Sequence, residues 1–390
     1  MLLVAGAVVA AVSVTPNGQR PASPPGTTYE YATPPALSDG WTTGSLEQVG
    51  IDRGRIEAMT DSIRAHPELN VHSVLIERDG RLVYEEYFAG KDERWGMPLG
   101  VVNFTRDTKH DLRSVTKSVV SALVGIALNS GAIPSLDRPL LDYFPEFKEL
   151  QVPERRQITI HHALMMAAGF EWNEEVPYND PKNDEIVMIR STDPLRYVLS
   201  RPIVAAPGTT WRYNGGLTQV LGTIVQRATK QPLADYARAK LFSPLGITDF
   251  EWLGSLAGLP SAASGLRLRP RDLAKFGSLY LHDGRWNGRD VLSPEWIVES
   301  TRRRVTFPKR PTRGYGYQWW HACYSTPSGP IQVPTAVGNG TQRVFLMPAH
   351  QTVVTVLAGR YNDFSVNPPE QLLLDFIVPA LPPPRGTGCS

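Results

Sequence analysis

The sequence predicts an α+β fold, an antiparallel β-sheet flanked by helices with a mostly helical insertion. Three observations carry this expectation. β-rich runs stand near the start, His72 to Phe88, and return in the last quarter, Tyr315 to Ala358. Between them apolar residues recur at helical spacing. The helix-patterned run that follows the first β signals opens on Ser114, with Lys117 three residues on.

Composition sets the outer limits. The 390 residues are 42% hydrophobic and 20% charged, enough apolar material for a large core. A net charge of +2, without a dense basic run interleaved with aromatics, argues against nucleic acid as a partner. No stretch reaches the roughly 18 consecutive apolar residues of a membrane span. Leu2 to Val14 is almost wholly apolar and a Pro-rich polar stretch follows. That pattern reads as the core of an export signal, either removed or kept as a membrane anchor. Cys323 and Cys389 permit one disulfide at most and do not settle the compartment.

The elements follow in order. Gly50 to His66 reads as an amphipathic helix with Ile56, Met59 and Ile63 inward. Within His72 to Phe88, Asp79-Gly80 marks a hairpin turn. The Ser114 helix carries Val115, Val119, Ala122, Leu123, Ile126 and Ala127 as one stripe, and Asn129-Ser130-Gly131 stops it. Leu136 to Phe147 is a loop with short helical turns, and Ile158 to Ala168 a helix ended by Gly169. Its neighbours His161 and His162 point in different directions, without metal-ligand spacing. Phe170 to Pro207 is polar, aromatic and Pro-broken, and Glu171, Glu174 and Glu175 read as a solvated face. Pro207 to Gly216 turns into a helix, with Tyr213 at the junction. Helices follow at Leu233 to Phe242 and Arg269 to Leu281. Three strands are expected at Tyr315 to Trp320, Thr335 to Met347 and Gln351 to Ala358, with a closing helix around Leu372 to Ile377. The expected layout is a signal or anchor with linker (1–35), a sheet domain (36–160 and 266–381), a helical domain (161–265) and a flexible tail (382–390).

The chemistry concentrates at Ser114. In the first helical turn, Lys117 lies on the same face and can reach the Ser hydroxyl. The positive helix N-terminus favours a developing oxyanion, and burial favours a neutral amine able to take the hydroxyl proton.

Taken together, Ser114-x-x-Lys117, Tyr213 after Pro207-Gly208-Thr209, and Ala336-Val337-Gly338 before Asn339 resemble the three motifs of the serine β-lactamase and penicillin-binding-protein superfamily. The similarity is to its class C β-lactamase-like branch, which includes esterases and 6-aminohexanoate-dimer hydrolases, and runs from about Gly40 to Pro379. The resemblance implies a serine hydrolase with an acyl-enzyme on Ser114. Lys117 and Tyr213 would share the proton traffic, and the Ser114 and Asn339 backbone N–H groups would form the oxyanion hole. It implies no metal and no cofactor. Asn214, Gly338, Trp211 and Trp319 are candidate substrate contacts; Trp211, Trp319 and Trp320 either wall an apolar pocket or pack in the core. Two positions depart from the pattern: Gly215 stands where the second motif has Asn, and Ala336-Val337 where the third has Lys or His, then Thr. The expected partner is a small ester or amide, with weak or absent β-lactam hydrolysis. A D-amino-acid or oligoamide peptidase and a non-catalytic binder of cell-wall peptides are the competing readings. An α/β-hydrolase is disfavoured, since the chain has no G-x-S-x-G.

Overall fold

The computed structural model describes residues 28–386 and 388–389, so the apolar run at Leu2 to Val14 lies outside it. Both ends of this range contribute to one sheet. Its nine strands are β1 (Thr42–Thr43), β2 (Val71–Arg78), β3 (Arg81–Tyr87), β4 (Val305–Phe307), β5 (Arg310–Tyr315), β6 (Trp320–Thr326), β7 (Gly329–Gly338), β8 (Gln342–Met347) and β9 (Thr352–Ala358). Their spatial order is β1-β3-β2-β9-β8-β7-β6-β5-β4. Every neighbouring pair is antiparallel except β1 with β3.

The period-2 pattern of the central strands fills two cores. On β9, Val354 and Val356 face a cluster with Ile56, Met59 and Ile63 of helix α1 (Arg53–Ala65) and with Leu373 and Ile377 near the C-terminus. Val353 and Leu357 face the other way. There they meet residues from helices α2 (Val115–Asn129), α4 (Gly215–Thr229) and α5 (Pro270–Leu281). A short helix between α2 and α4, here α3 (Asp184–Arg190), borders this second core. The result is helices, sheet, helices, with α2 in the layer that carries the helical segment.

Turn chemistry explains several boundaries. Asp79 (φ 49°) and Gly80 (φ 77°) both adopt positive φ, as a tight two-residue hairpin requires. The run Thr335 to Met347, expected as one strand, is two. Thr341 and Gly340 take positive φ and fold β8 back on β7, so continuous β propensity hides the reversal. Only the ends of Tyr315 to Trp320 are strand; residues 316–319 link β5 to β6, with Gln318 in the left-handed region. A hairpin of Ala89–Arg94 with Met97–Asn103 stands in the stretch between β3 and α2.

Nor does the tail hang free. Cys389 is bonded to Cys323 of β6, and the Gly388 N–H donates to the Pro330 carbonyl at 3.0 Å. Among the described residues no helix is long and apolar enough to cross a membrane.

Candidate active site

The start of α2 is pinned from both sides. The Leu112 N–H donates to the Leu266 carbonyl at 3.0 Å, and a Cβ on Gly338 would lie only 2.3 Å from the Leu112 carbonyl oxygen. Glycine at 338 therefore lets the end of β7 close on the segment before the Ser. Arg113 takes φ 49°, a left-handed conformation unusual outside glycine. Its guanidinium is held by Glu93, by Asp111 at 3.3 Å and by the face of Tyr361.

Ser114 occupies the N-cap of α2, but its side chain caps no helix N–H. The hydroxyl is thus released for other partners. Lys117 Nζ donates to Ser114 Oγ at 3.0 Å, to the Ala263 carbonyl at 3.1 Å and to Glu185 Oε2 at 3.2 Å. Those three acceptors match the three N–H bonds of an ammonium. The Lys117 Nζ lies 5.0 Å from the Tyr213 ring centre, and Ser114 is near enough to the Tyr213 phenol to act on its titration. Burial first, then the nearby Glu174, raises the Tyr213 phenol well above its ordinary range, while Ser114 pulls it down. The Ser, Lys and Tyr singled out in the sequence therefore meet in space.

Two carboxyls not foreseen in the sequence complete the cluster. Glu174, read there as part of a solvated face, is 8% exposed, and Glu185 is 1% exposed. Glu174 Oε2 accepts from the Trp172 Nε1–H at 2.8 Å and from the Gly215 N–H at 2.6 Å, and its Oε1 accepts from the Tyr178 hydroxyl at 2.8 Å. Glu185 Oε1 accepts from the Ser264 hydroxyl at 2.8 Å. Asn183 caps α3 with its side chain and so sets Glu185 in the first turn, aimed at Lys117. Burial and the neighbouring Glu185 push Glu174 up to about 8. Burial would push Glu185 up as well, but Lys117 and the hydrogen bonds from Glu174 and Ser264 hold it below the usual carboxylate value. At neutral pH the pair carries one proton, on Glu174, and one negative charge, on Glu185. The expected amine in an apolar pocket is instead an ion-paired one.

This explains the departure at Gly215. A Cβ there would lie 2.1 Å from Glu185 Oε2 and 3.2 Å from Glu174 Oε2. The Glu185 carboxylate fills the volume that an Asn side chain would take and meets Lys117 from it. Asn214, expected at the substrate, is the N-cap of α4, where its side chain accepts from the Leu217 N–H at 3.1 Å.

Two backbone donors are unspent. The N–H groups of Val115, Thr116 and Lys117 all find carbonyls one turn back. Those of Ser114 and Asn339 have no protein acceptor among the described residues. The Asn339 side chain fixes its turn by accepting from the Gly340 and Asn362 N–H groups at 2.9 and 2.8 Å. Ala336, at the third-motif position, is fully buried in the core that α2 shares, so a methyl stands where that motif has a cation or donor.

The tryptophans divide. Trp211 and Trp320 join Phe307 and Tyr315 in an aromatic cluster around Tyr213; Trp211 lies 4.6 Å from Phe307, and Trp320 5.4 Å from Tyr213. Trp319 does not reach the site: it is fully buried between Phe276 and Tyr280 of α5. A one-residue step along the chain turned it to the opposite face. His161 and His162 serve locally: His162 Nδ1 accepts from the Thr159 N–H in a capping box, and His161 bonds the Tyr317 hydroxyl.

The chain is similar to several known proteins. A family profile described as Beta-lactamase matches residues 59–374. An esterase of Burkholderia gladioli is 32% identical over 53% of this chain and 53% of its own length. A 6-aminohexanoate-dimer hydrolase of Paenarthrobacter ureafaciens is 26% identical over 73% of this chain and 71% of its own. The chain thus spans about half the length of the esterase it matches. In fold it resembles the octameric penicillin-binding protein homologue of Pyrococcus abyssi, with a TM-score of 0.60 at 20% identity over 82% of this chain and 75% of that one.

Proposed function

The chain belongs to the β-lactamase family, and from that premise we propose that it is a serine hydrolase, hydrolysing small esters or amides through an acyl-enzyme on Ser114. The observation that carries this reading is the placement of Ser114 Oγ, 3.0 Å from Lys117 Nζ, which itself lies 5.0 Å from the Tyr213 ring centre, at the mouth of a buried helix. In the proposed first step Ser114 Oγ attacks the substrate carbonyl. Its proton passes to the Lys117–Tyr213 pair, and Lys117 makes room by passing one of its own to Glu185 Oε2, 3.2 Å away. The Ser114 and Asn339 N–H groups face the developing oxyanion. The leaving group takes the proton back, and water releases the acid by the same route reversed.

Ester hydrolysis is favoured over β-lactam hydrolysis by Ala336. With no cation there, a β-lactam carboxylate would go unpaired, at about 1–3 kcal/mol or more. The aromatic cluster at Trp211 and Trp320 suits an apolar acyl or alkoxy group. The relative named as a 6-aminohexanoate-dimer hydrolase favours an oligoamide as the second substrate class. The test is labelling by a fluorophosphonate probe, then rates on short-chain aryl esters against a chromogenic cephalosporin. Labelling lost in Ser114→Ala and faster ester turnover support the reading. Unlabelled folded wild type would favour a peptide binder, and faster cephalosporin turnover would overturn the preference.

Export follows as part of the same proposal. The Cys323–Cys389 bond persists best in an oxidising compartment, in keeping with the apolar run at Leu2 to Val14. Cell fractionation tests this; a cytosolic pool with an intact N-terminus ends it.

A further inference from the structure

Behind the nucleophile lies a second buried cluster. His72 of β2, Asp92 of the Ala89–Arg94 strand and His110 of the short His110–Asp111 strand are each 6% exposed or less. One ligand atom from each lies within 4.8 Å of the others. Their tautomers can be read from their outer partners. The Asn70 amide is fixed by two bonds to one residue: its Nδ2 donates to the Lys91 carbonyl at 2.8 Å, and its Oδ1 accepts from the Lys91 N–H at 2.9 Å. That Oδ1 sits 3.2 Å from His72 Nε2, so Nε2 is the donor. His110 Nδ1 lies 2.9 Å from the Asp111 carbonyl, so it too is a donor. Each neutral ring has then used its one N–H. What remains is His72 Nδ1 facing His110 Nε2 at 2.8 Å, lone pair against lone pair. Asp92 Oδ1 lies 3.8 Å from His110 Nε2 and accepts from the Tyr361 hydroxyl at 2.9 Å. Among the described residues no Lys or Arg pairs with Asp92.

Two lone pairs and a buried carboxylate converging on one point call for a cation. We propose that His72 Nδ1, His110 Nε2 and Asp92 Oδ1 bind a divalent transition metal such as zinc. Both rings already donate their other nitrogen to a carbonyl-type oxygen, the arrangement that orients metal-binding imidazoles. Zinc–nitrogen bonds of about 2.0–2.1 Å in a tetrahedral site set the two nitrogens roughly 3.3 Å apart, so loading parts the rings by about half an ångström. The role is a structural brace. His110 stands four residues before Ser114. Asp92 is bonded to Tyr361, whose neighbour Asn362 holds the Asn339 turn. The metal would tie together the supports of both proposed oxyanion donors.

The test uses untagged full-length protein from metal-depleted medium, equilibrated with zinc and then desalted. Bound metal, melting temperature with and without a chelator, and the visible spectrum after cobalt loading are measured. The expected result is roughly one metal per chain, a melting temperature raised by several degrees, and cobalt bands of nitrogen and oxygen ligation. Asp92→Asn keeps the side-chain shape and should weaken binding by at least ten-fold. No retained metal, an unmoved melting temperature and a featureless cobalt spectrum in the wild type overturn the proposal; the gap would then hold a shared proton. Should Asp92→Asn fail to fold, the wild-type cobalt spectrum decides alone.

Discussion

The site has two halves that reached the same cluster by different routes. Ser114, Lys117 and Tyr213 sit at or near the N-termini of two long helices, α2 and α4, whose apolar stripes are buried in one core. Glu174 and Glu185 come from a Pro-broken loop and the seven-residue α3, and hydrogen bonds and the ion pair to Lys117 hold them in register. The first half carries the motif residues. The second supplies the counter-charge to Lys117, in the space vacated at Gly215. Reactive groups can thus keep their positions while the group balancing their charge moves elsewhere in the chain.

Removing the first half should be most costly. Ser114→Ala and Lys117→Ala are each expected to lower kcat for an aryl ester by about a thousand- to ten-thousand-fold, and the double variant no further, since such residues act as a unit. Steady-state kinetics on folded variants check this; additive losses would separate the roles. Glu185→Gln should come next. It leaves the Lys117 ammonium buried without its anion, at about 3–5 kcal/mol, and lowers kcat about a hundred-fold. Chemical denaturation and kinetics together test it, and unchanged kcat would remove Glu185 from the proton route. Gly215→Asn should be damaging alone but milder beside Glu185→Ala, with a coupling of about 0.5–3 kcal/mol in a double-mutant cycle. Simple additivity would mean that the two side chains do not compete for one volume.

These comparisons mark where sequence reasoning reached its limit. Helical periodicity located α2, and spacing put Lys117 on the face of Ser114, because both depend on short-range geometry; Tyr213, remote in the chain, was joined to them only by what the family resemblance implied. The Asp79-Gly80 hairpin followed from turn chemistry. Glu174 looked solvated because its burial comes from Trp172, Tyr178 and α4, none of which is visible in a run of acidic residues. The available signal was Gly215 itself: a motif position that loses its side chain implies that another group fills the space. Trp319 and Trp320 could not be told apart without knowing where β6 begins. His72 and His110, 38 residues apart, meet only through the sheet and the strand leading to Ser114.

The smallest effect sharpens the contrast through pH. Glu174 has a folded-state pKa of about 8, above the carboxyl's ordinary 4.5. The folded protein therefore binds this proton more tightly than the unfolded chain does. Below the ordinary value both states are protonated and the group is neutral in its effect. As pH rises from there toward 8, the unfolded chain releases the proton while the folded one keeps it, and stability falls; above 8 both are ionised and the slope ends. Glu174→Gln keeps the shape and cannot ionise, so it should remove this slope. It should raise stability near pH 8 by a few kcal/mol at most, with little change near pH 4. Denaturation midpoints from pH 4 to 9 check it. An equal gain at every pH would mean that the variant acts through packing. A loss near pH 8 would mean that Glu174 is ionised beside Lys117, and the division of one proton and one charge between the two carboxyls would be reversed.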